Sequence, residues 1–247
     1  MKTEKVFFKN NKAQRIVGKI YRQDDLSPDG VIFCHGLFST KDGYKITHLA
    51  EDIVNAGYTL LAFDFSFVGE SEGNISELSV LQELEDLRYA FLFFRDYGIK
   101  KIHLVGSSMG GLVSLIFSSI LGDRISSQTL IAAPVLLREI MHQMAQKDID
   151  SLPEDGFTVV DGIQINNKFF KEYDKIDIGL LMNHLTVPTL VIHGGKDAVV
   201  PVNNASVLMK SIQCKKRLVL IEDGDHNLSR DSDLIILRDN IIEWLKS

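Results

Sequence analysis

Cysteine is scarce in this chain. Only two of its 247 residues are cysteines, Cys34 and Cys214, and they lie far apart in the sequence. Cys34 ends an apolar run, where a buried thiol behaves as a small hydrophobic side chain. We therefore expect two free thiols rather than a disulfide or a metal pair, which fits a reducing compartment.

The chain also has no excess of positive charge. It contains 27 Lys and Arg residues against 33 Asp and Glu residues, a formal net charge of −6 at pH 7. Nucleic acids and anionic membranes attract basic proteins, so we expect neither of them as a partner.

Long apolar runs are missing as well. No stretch approaches the ~18 consecutive apolar residues that a membrane span needs. Charged residues interrupt the apolar run near Met1, and no cleavage site made of small residues follows it, so a secretory signal is not expected. These absences favour a soluble, cytoplasmic protein.

Apolar residues are nevertheless plentiful enough for a large core. A chain of 247 residues with 45% hydrophobic residues fits one α/β domain over 1–247. Two opening strands are predicted at 6–8 and 14–21. Further short apolar runs have the pattern of strands buried on both faces, at 31–34, 58–63, 101–105, 128–131, 189–193 and 217–221.

Helical patterns lie between most of these runs. They cover 44–56, 79–97, 109–121, 203–211 and 233–245. Strands that alternate with helices predict right-handed crossovers and a mostly parallel, doubly wound sheet. Functional sites in such sheets form beyond the carboxyl ends of the strands.

One interval interrupts the alternation. Residues 134–187 separate two predicted strands by about fifty residues, whereas the usual connection has ~4 to 6. We interpret the interval as an inserted lid, with an apolar helical stripe over 135–146, a hairpin turning at Asp161-Gly162 and a second helix at 168–173. The alternative is a small packing layer without contact to a substrate.

The most informative motif is Gly106-Ser107-Ser108-Met109-Gly110, between a predicted strand and a predicted helix. A tight strand-to-helix turn leaves room only for small residues beside the serine. Ser108 is then held in a strained, exposed position, which is how some hydrolases present a nucleophile. A turn softened by glycine, with an incidental serine, is the alternative interpretation.

A second motif, His35-Gly36-Leu37-Phe38, follows the first buried strand. A glycine lets the backbone pass close to a reacting atom, and the amide of Leu37 can then point at a developing oxyanion. The amide of Met109, at the start of its helix, is the second expected donor. His35 is expected to make structural hydrogen bonds.

A nucleophilic serine needs a base, and the base needs an acid that orients it. Asp197 and His226 each follow a late strand and should lie at the same edge of the sheet as Ser108. The order Ser, Asp, His is that of the nucleophile-elbow hydrolases.

Asp223 and Asp225 are alternative candidates for the acid that orients the base. The other histidines lack a partner motif and are weaker candidates for the base: His48, His103, His142, His184 and His193.

The segment from Asp64 to Gly73 also follows a predicted strand. We interpret it as a turn in which Asp and Ser side chains bond their own backbone, rather than as a part of the reaction centre.

Together these motifs make the chain similar to α/β-hydrolase serine esterases, in particular to the cinnamoyl or feruloyl esterase-like group of small bacterial carboxylesterases. The resemblance covers nearly the whole chain. It implies Ser108 as nucleophile, His226 as base, Asp197 as acid, and the amides of Leu37 and Met109 as the oxyanion hole.

Two positions depart from the pattern of that group. Ser107 stands where such esterases often have His, and Phe67 stands where the Asp64 loop usually has Gly. Neither departure touches the triad.

The expected reaction is hydrolysis of a small ester through an acyl-enzyme. No metal and no organic cofactor are implied. Phe38, Met109 and the inserted segment suggest an apolar pocket for a short or aromatic acyl group. Hydrolysis of a thioester, an amide or a carbon–carbon bond by the same triad stays open, as does a ligand-binding protein without turnover. The oligomeric state also stays open.

Overall fold

A central β-sheet organises the protein, whose computed structural model describes residues 1–173 and 175–247. The strands of the described chain are β1 Lys2–Lys9, β2 Arg15–Arg22, β3 Asp29–Cys34, β4 Thr59–Phe63, β5 Lys101–Ser107, β6 Ser127–Ile131, β7 Phe157–Val160, β8 Ile163–Asn166, β9 Thr189–Gly194 and β10 Lys216–Ile221. Eight of them form one sheet in the order β1-β2-β4-β3-β5-β6-β9-β10. β1 and β2 are antiparallel to their neighbours, and the other pairs are parallel.

Helices cover both faces of this sheet. They are α1 Tyr44–Asn55, α2 Val80–Asp96, α3 Met109–Leu121, α4 Leu137–Ala145, α5 Asn167–Tyr173, α6 Ile178–Asn183, α7 Asn203–Ser211 and α8 Asp231–Leu245. α1 and α8 pack with each other and share one apolar cluster, whereas α2, α3 and α7 contribute to the other. The predicted doubly wound, mostly parallel sheet is confirmed.

β3, at the centre of the sheet, is apolar on successive residues because both of its faces are covered. In β3, Val31 and Phe33 belong to the cluster beneath α1 and α8, and Ile32 and Cys34 belong to the opposite cluster. All of these side chains are at most 3% exposed. Alternate side chains of a strand point to opposite faces, so a run without polar residues is what a twice-covered strand requires.

The segment between β6 and β9 has its own elements. The apolar stripe predicted at its start is buried at Leu137, Ile140 and Met141. β7 and β8 form the predicted hairpin, with Asp161 and Gly162 at φ 49° and 81°, because a two-residue turn of this hand needs two positive φ angles.

Helix α6 was not predicted. It has only six residues, too few for an apolar period to stand out, although Asp177 supplies its N-cap by accepting a hydrogen bond from the Leu180 amide. The functional interpretation of 134–187 as a lid stays a prediction.

Candidate active site

Loops that leave the carboxyl ends of the central strands converge at one edge of the sheet. The parallel registers align Cys34 of β3 with Gly106 of β5, and Gly194 of β9 with Ile221 of β10. The residues that follow these strand ends therefore meet. This convergence brings together motifs that are more than one hundred residues apart in the chain.

Ser108 sits on a sharp turn between β5 and α3, at φ 52° and ψ −118°. The two glycines of the motif are steric requirements there. A Cβ on Gly106 would come within 2.3 Å of the Gly110 carbonyl oxygen, and a Cβ on Gly110 within 2.2 Å of the Cys34 carbonyl oxygen. Strand, turn and helix can approach this closely only without those side chains.

The turn aims Ser108 at a relay of two further side chains. The Oγ of Ser108 lies 3.0 Å from Nε2 of His226, and Nδ1 of His226 lies 2.8 Å from Oδ2 of Asp197. The three residues predicted from sequence are thus within hydrogen-bond distance in series. Both alternative acids lie elsewhere, since Asp223 pairs with Lys196 at the surface and Asp225 accepts from the Leu228 amide.

Asp197 is held as a carboxylate by three neighbouring groups. Its Oδ1 accepts the amides of Val199 at 2.9 Å and Val200 at 2.8 Å, which leaves Oδ2 for His226. Burial raises the pKa of this carboxyl, but the interaction with His226, together with the two amides, outweighs burial and holds the pKa below its usual value. The acid is therefore ionised and fixed in orientation.

A second histidine, His193, is buried below Asp197. Its Nε2 donates to the Val200 carbonyl at 2.8 Å and lies 3.5 Å from Oδ2 of Asp197. Burial lowers its pKa. His193 is thus a neutral residue packed under the acid, and it does not reach Ser108 as a base would.

Two backbone amides of the loops around Ser108 have no protein acceptor among the described residues. Within the described chain, the amides of Leu37 and Met109 donate to no protein acceptor, and Met109 is the first residue of α3. The loop that carries Leu37 is tightened by a hydrogen bond from the Ser39 amide to the Gly36 carbonyl, at 3.0 Å. Gly36 keeps this loop against the serine, because a Cβ there would lie 3.2 Å from the Ser108 Cβ. The arrangement suits the stabilisation of a negative oxygen.

His35 is locked in one tautomer by its neighbours. The Phe65 amide donates to Nε2 at 3.1 Å, so Nε2 carries no proton, and Nδ1 donates to the Gly36 carbonyl at 2.9 Å. Burial lowers the pKa of the ring. The expected structural role of His35 is consistent with these contacts.

A buried ion pair ties the Leu37 loop to the loop after β4. The ammonium of Lys41, 1% exposed, bonds Asp64 Oδ2 at 3.0 Å and Glu70 Oε1 at 2.8 Å, and the Lys41 amide donates to Asp64 Oδ1 at 2.7 Å. Burial lowers the pKa of Lys41, but these hydrogen bonds and the one to Asp42 raise it above its usual value. Sequence reasoning missed Lys41, because a lysine in a loop of mixed polarity is normally solvated.

A cavity of about 330 Å³ opens beside Ser108. It is lined by residues of the Leu37 loop, the start of α1 and the loop that carries His226: Phe33, His35, Gly36, Leu37, Ser39, Gly43, Tyr44, Lys45, Ile46, Ser107, Ser108, His226, Asn227 and Ser229. The lining is more polar than the sequence suggested. No described residue of 134–187 lines it, and neither does Phe38, which packs against the core. The role of Phe38 in substrate binding stays a prediction.

The segment between β6 and β9 reaches the site from behind. The hydroxyl of Tyr173, on α5, donates to the sulfur of Met109. Its neighbour Glu172 accepts from the Ser79 hydroxyl and from the Val80 amide, both at 2.9 Å, at the start of α2. These contacts place α5 against Met109, the residue that follows Ser108 in the chain.

The described residues contain neither a metal-binding cluster nor a membrane-spanning helix. No group of three or more His, Cys, Asp or Glu side chains is arranged to hold a metal ion. None of the described helices is both long and apolar enough to cross a membrane.

The fold and the convergent triad define a class of protein, and comparison with known families agrees. The model of the α/β hydrolase fold family matches residues 30–170, more than half of the chain, and a second model, described as serine aminopeptidase S33, matches residues 175–233. The protein belongs to the α/β hydrolase family and is a hydrolase with esterase-like relatives.

The individual relatives share only about a quarter of their residues with this chain. Mouse palmitoyl-protein thioesterase ABHD10, mitochondrial, is 26% identical over an alignment of 245 residues, and the match covers 88% of this chain and 76% of the mouse protein. The mitochondrial location is that of the mouse protein, and the cytoplasmic location expected from this sequence stays a prediction.

Solved structures show the same fold. Est1E from Butyrivibrio proteoclasticus, with ferulic acid bound, superposes with a TM-score of 0.86 at 17% identity over 97% of both chains. Mouse ABHD10 superposes with a TM-score of 0.81 at 22% identity over 98% of both chains. At these identities the likeness extends to the fold alone.

Proposed function

We propose that this protein hydrolyses small carboxylic esters through an acyl-enzyme, with Ser108 as the nucleophile. The observation that carries the proposal is the unbroken relay from Asp197 through His226 to Ser108, with gaps of 2.8 and 3.0 Å. A serine hydroxyl is a poor nucleophile at neutral pH, and a neutral imidazole at this distance is the base it needs.

The reaction has two halves. In the first, Nε2 of His226 takes the proton of Ser108 while Oγ attacks the ester carbonyl, and the same proton then leaves with the alcohol as the ester bond breaks. In the second, His226 takes a proton from water, the resulting hydroxide attacks the acyl carbonyl, and the proton returns to Ser108 as the acid departs.

Each tetrahedral intermediate carries a negative oxygen. In this proposal the amides of Leu37 and Met109 donate to that oxygen, and Asp197 holds Nδ1 of His226 protonated and stabilises the imidazolium. Removing one such donor typically costs ~10² to 10³ in rate. The Lys41–Asp64 pair acts indirectly, by holding the loop that carries Leu37.

The cavity supports a small substrate. A volume of about 330 Å³ lies near the lower end for small-molecule sites, so long acyl chains would need further space. In this proposal the segment 134–187 acts as a cap that influences the reaction through Tyr173 and Met109 rather than by lining the described cavity.

The decisive experiment replaces Ser108 by Ala. We expect kcat on p-nitrophenyl acetate to fall by about 10⁴-fold or more, because no other group can form the acyl-enzyme. A fluorophosphonate probe should label the wild-type protein at Ser108 and leave Ser108→Ala unlabelled. Ser206→Ala, which removes an exposed serine from α7, serves as the control. Undiminished esterase activity in folded Ser108→Ala would refute the assignment, and a folded wild-type protein that accepts no probe would favour a binding protein.

A second candidate is thioester hydrolysis, favoured by the name of the mouse relative, palmitoyl-protein thioesterase. Ethyl butyrate and S-ethyl thiobutyrate differ only in the leaving atom. If the kcat/KM ratio of thioester to ester far exceeds the ratio of their hydroxide-catalysed rates, the protein is a thioesterase. A ratio near the hydroxide ratio supports the esterase.

A further inference from the structure

Lys45 is an unexpected component of the cavity beside Ser108. It lies in the first turn of α1, and it is partly buried and lines the same cavity as Ser108 and His226. A lysine in the first turn of an amphipathic helix normally extends into water. This one is directed towards the reaction centre instead.

The charge of Lys45 is not neutralised by a neighbour. Within the described chain its ammonium makes no hydrogen bond and no ion pair, in contrast to Lys41 four residues earlier, which has three acidic partners. No carboxylate lines the cavity, and apart from its histidines Lys45 is the sole titratable cation among the described lining residues. Asn227 and Ser229 add polar side chains that bond no protein group in the described chain.

The surroundings of Lys45 make its charged form less favourable than it would be in water. Burial lowers the pKa of Lys45 to about 8, and the carboxylates of Asp225 and Asp197 only partly offset that effect. Asp197 is already engaged with His226, and Asp225 lies outside the cavity. An ammonium that has lost water without gaining a partner is stabilised by any anion that enters the cavity.

We propose that Lys45 forms an anion subsite next to Ser108, and that the preferred substrate is a small ester that carries a carboxylate a few bonds from the scissile carbonyl. This inference rests on the ester hydrolysis proposed above. Lys45 acts on specificity and takes no part in the proton relay. The cavity volume of about 330 Å³ suits a compact, singly charged ester.

Two matched substrate pairs test the subsite. 4-Acetoxybenzoate and 4-acetoxybenzamide place the charge, or its neutral counterpart, on the leaving group. Monomethyl glutarate and methyl 4-carbamoylbutanoate place it on the acyl group. The quantity measured is the ratio of kcat/KM for the charged ester to that for the neutral ester, so general effects on the relay cancel. The pair with the higher ratio shows on which side of the ester bond the anion binds.

Three variants test whether the positive charge of Lys45 causes the preference for the charged ester. In Lys45→Met the charge is removed, and we expect the ratio to fall about tenfold to a hundredfold for at least one pair, as for the loss of a hydrogen bond to a charged group. Lys45→Arg keeps the charge and should keep most of the preference. Lys210→Met removes an exposed lysine that does not line the cavity and should leave the ratio unchanged.

The pH profile of the wild-type ratio is a second readout, one that a purely structural role would not produce. Lys45 is charged below its pKa of about 8, so the ratio should fall as the pH rises through about 8. The groups that face Lys45 are Asp225, Asp197 and His226. The ratio of Lys45→Met should be flat.

The possible outcomes distinguish a failure of the anion subsite from a failure of the proposed ester hydrolysis. If neutral esters are hydrolysed by Ser108 but Lys45→Met leaves both ratios unchanged, the anion subsite is wrong and the esterase stands. If Lys45→Met lowers the rates on charged and neutral esters equally, Lys45 supports the reaction in general and the subsite is also wrong. If Ser108 accepts no probe and no ester is cleaved, both proposals fail together.

Discussion

Ser108 and Phe67 show how this protein uses strained backbone. Both are non-glycine residues in the left-handed region, at φ 52° and 82°. Each such residue costs about 1 to 3 kcal/mol, and such strain persists only where the surroundings over-determine it. At Ser108 the strain aims a hydroxyl at His226. At Phe67, a buried ring packs into the core and offsets the cost.

Asp197→Asn is the most informative change at the level of single residues. The Val199 and Val200 amides already donate to Oδ1, so an asparagine there would keep its carbonyl oxygen on that side and turn its NH₂ group towards His226. Nδ1 would then have to accept a hydrogen bond, and the ring proton would move to Nε2. We expect kcat to fall by about 10⁴-fold, because His226 can no longer take the proton of Ser108.

The control for this change is Asp223→Asn. Asp223 lies in the loop just before His226, but its carboxylate pairs with Lys196 at the surface. Its replacement should leave kcat within about twofold, since an exposed pair contributes little. The opposite result, a large loss of kcat with Asp223→Asn and a small loss with Asp197→Asn, would show that Asp223 rather than Asp197 orients His226.

Loops gain their positions from side chains of neighbouring elements. Asp64 accepts from Lys41 in the β3–α1 loop and from the Glu70 amide in its own loop, at 2.9 Å. The sequence analysis predicted that Asp64 bonds its own turn, which accounts for the contact with the Glu70 amide but not for the contact with Lys41. The first contact joins two loops at the carboxyl edge, so one buried pair orders both the Leu37 loop and the segment that leads into α2.

Helices α2 and α5 meet at a buried acid. Glu83, on α2, is 3% exposed, and within the described chain its Oε2 has no hydrogen-bond partner. Burial raises its pKa well above the usual value, and the charges of Asp86 and Glu172 raise it further. Glu172 belongs to α5, so this uncharged carboxyl lies where the segment after β6 packs on the core.

The raised pKa makes stability depend on pH. In the unfolded chain Glu83 loses its proton near pH 4.3, whereas the folded protein keeps the proton to a higher pH. The unfolded state therefore binds fewer protons, and stability falls as the pH rises through this window. We expect Glu83→Gln to raise the free energy of unfolding, by up to about 1.4 kcal/mol for each pH unit above 4.3 until the folded pKa is reached.

Urea denaturation at a series of pH values measures this difference. Glu83→Gln and the wild-type protein should coincide near pH 4 and diverge towards pH 8. Glu85→Gln, on the same helix but partly exposed and paired with Arg88, provides the reference for loss of a charge alone. A difference between Glu83→Gln and wild type that does not change with pH would mean that Glu83 titrates alike in both states.

For the molecule as a whole, the periodicity of the sequence predicted the sheet, its parallel strands and the helices on both faces. That information is local, since a strand covered on two faces favours apolar residues at successive positions, as in β3. The triad was predictable for a related reason. Parallel strands end at one edge, so Ser108, Asp197 and His226 needed only to follow strand ends in order.

Contacts made by long charged side chains were not predictable. Lys41 and Lys45 lie in one short stretch with similar neighbours, yet one is buried in an ion pair and the other lines the cavity. Only the three-dimensional arrangement of the loops after β4 and β10 distinguishes them. The polar lining of the cavity was missed for the same reason, because Asn227 and Ser229 come from a loop without a motif.

The reactivity of the Cys34 thiol can report whether β3 stays packed against α3. Its side chain is fully buried at the end of β3, its carbonyl lies against Gly110 of α3, and burial raises the pKa of the thiol to about 12. Cys214 is the other free thiol and is partly exposed, with its Sγ donating to the Val187 carbonyl. Because only a thiolate attacks a disulfide reagent, the two cysteines should react very differently in the folded protein.

We expect 5,5′-dithiobis(2-nitrobenzoate) at pH 8 to modify Cys214 alone in native protein and both thiols in denaturant. With Cys214→Ser, the remaining rate should rise with urea in parallel with unfolding followed by circular dichroism, because Cys34 becomes accessible only when β3 and α3 separate. Rapid modification of Cys34 in folded Cys214→Ser would instead reveal a local opening between that strand and the helix that begins just after Ser108. Such an opening would also disturb the turn that carries Ser108, so it should be accompanied by loss of the proposed esterase activity.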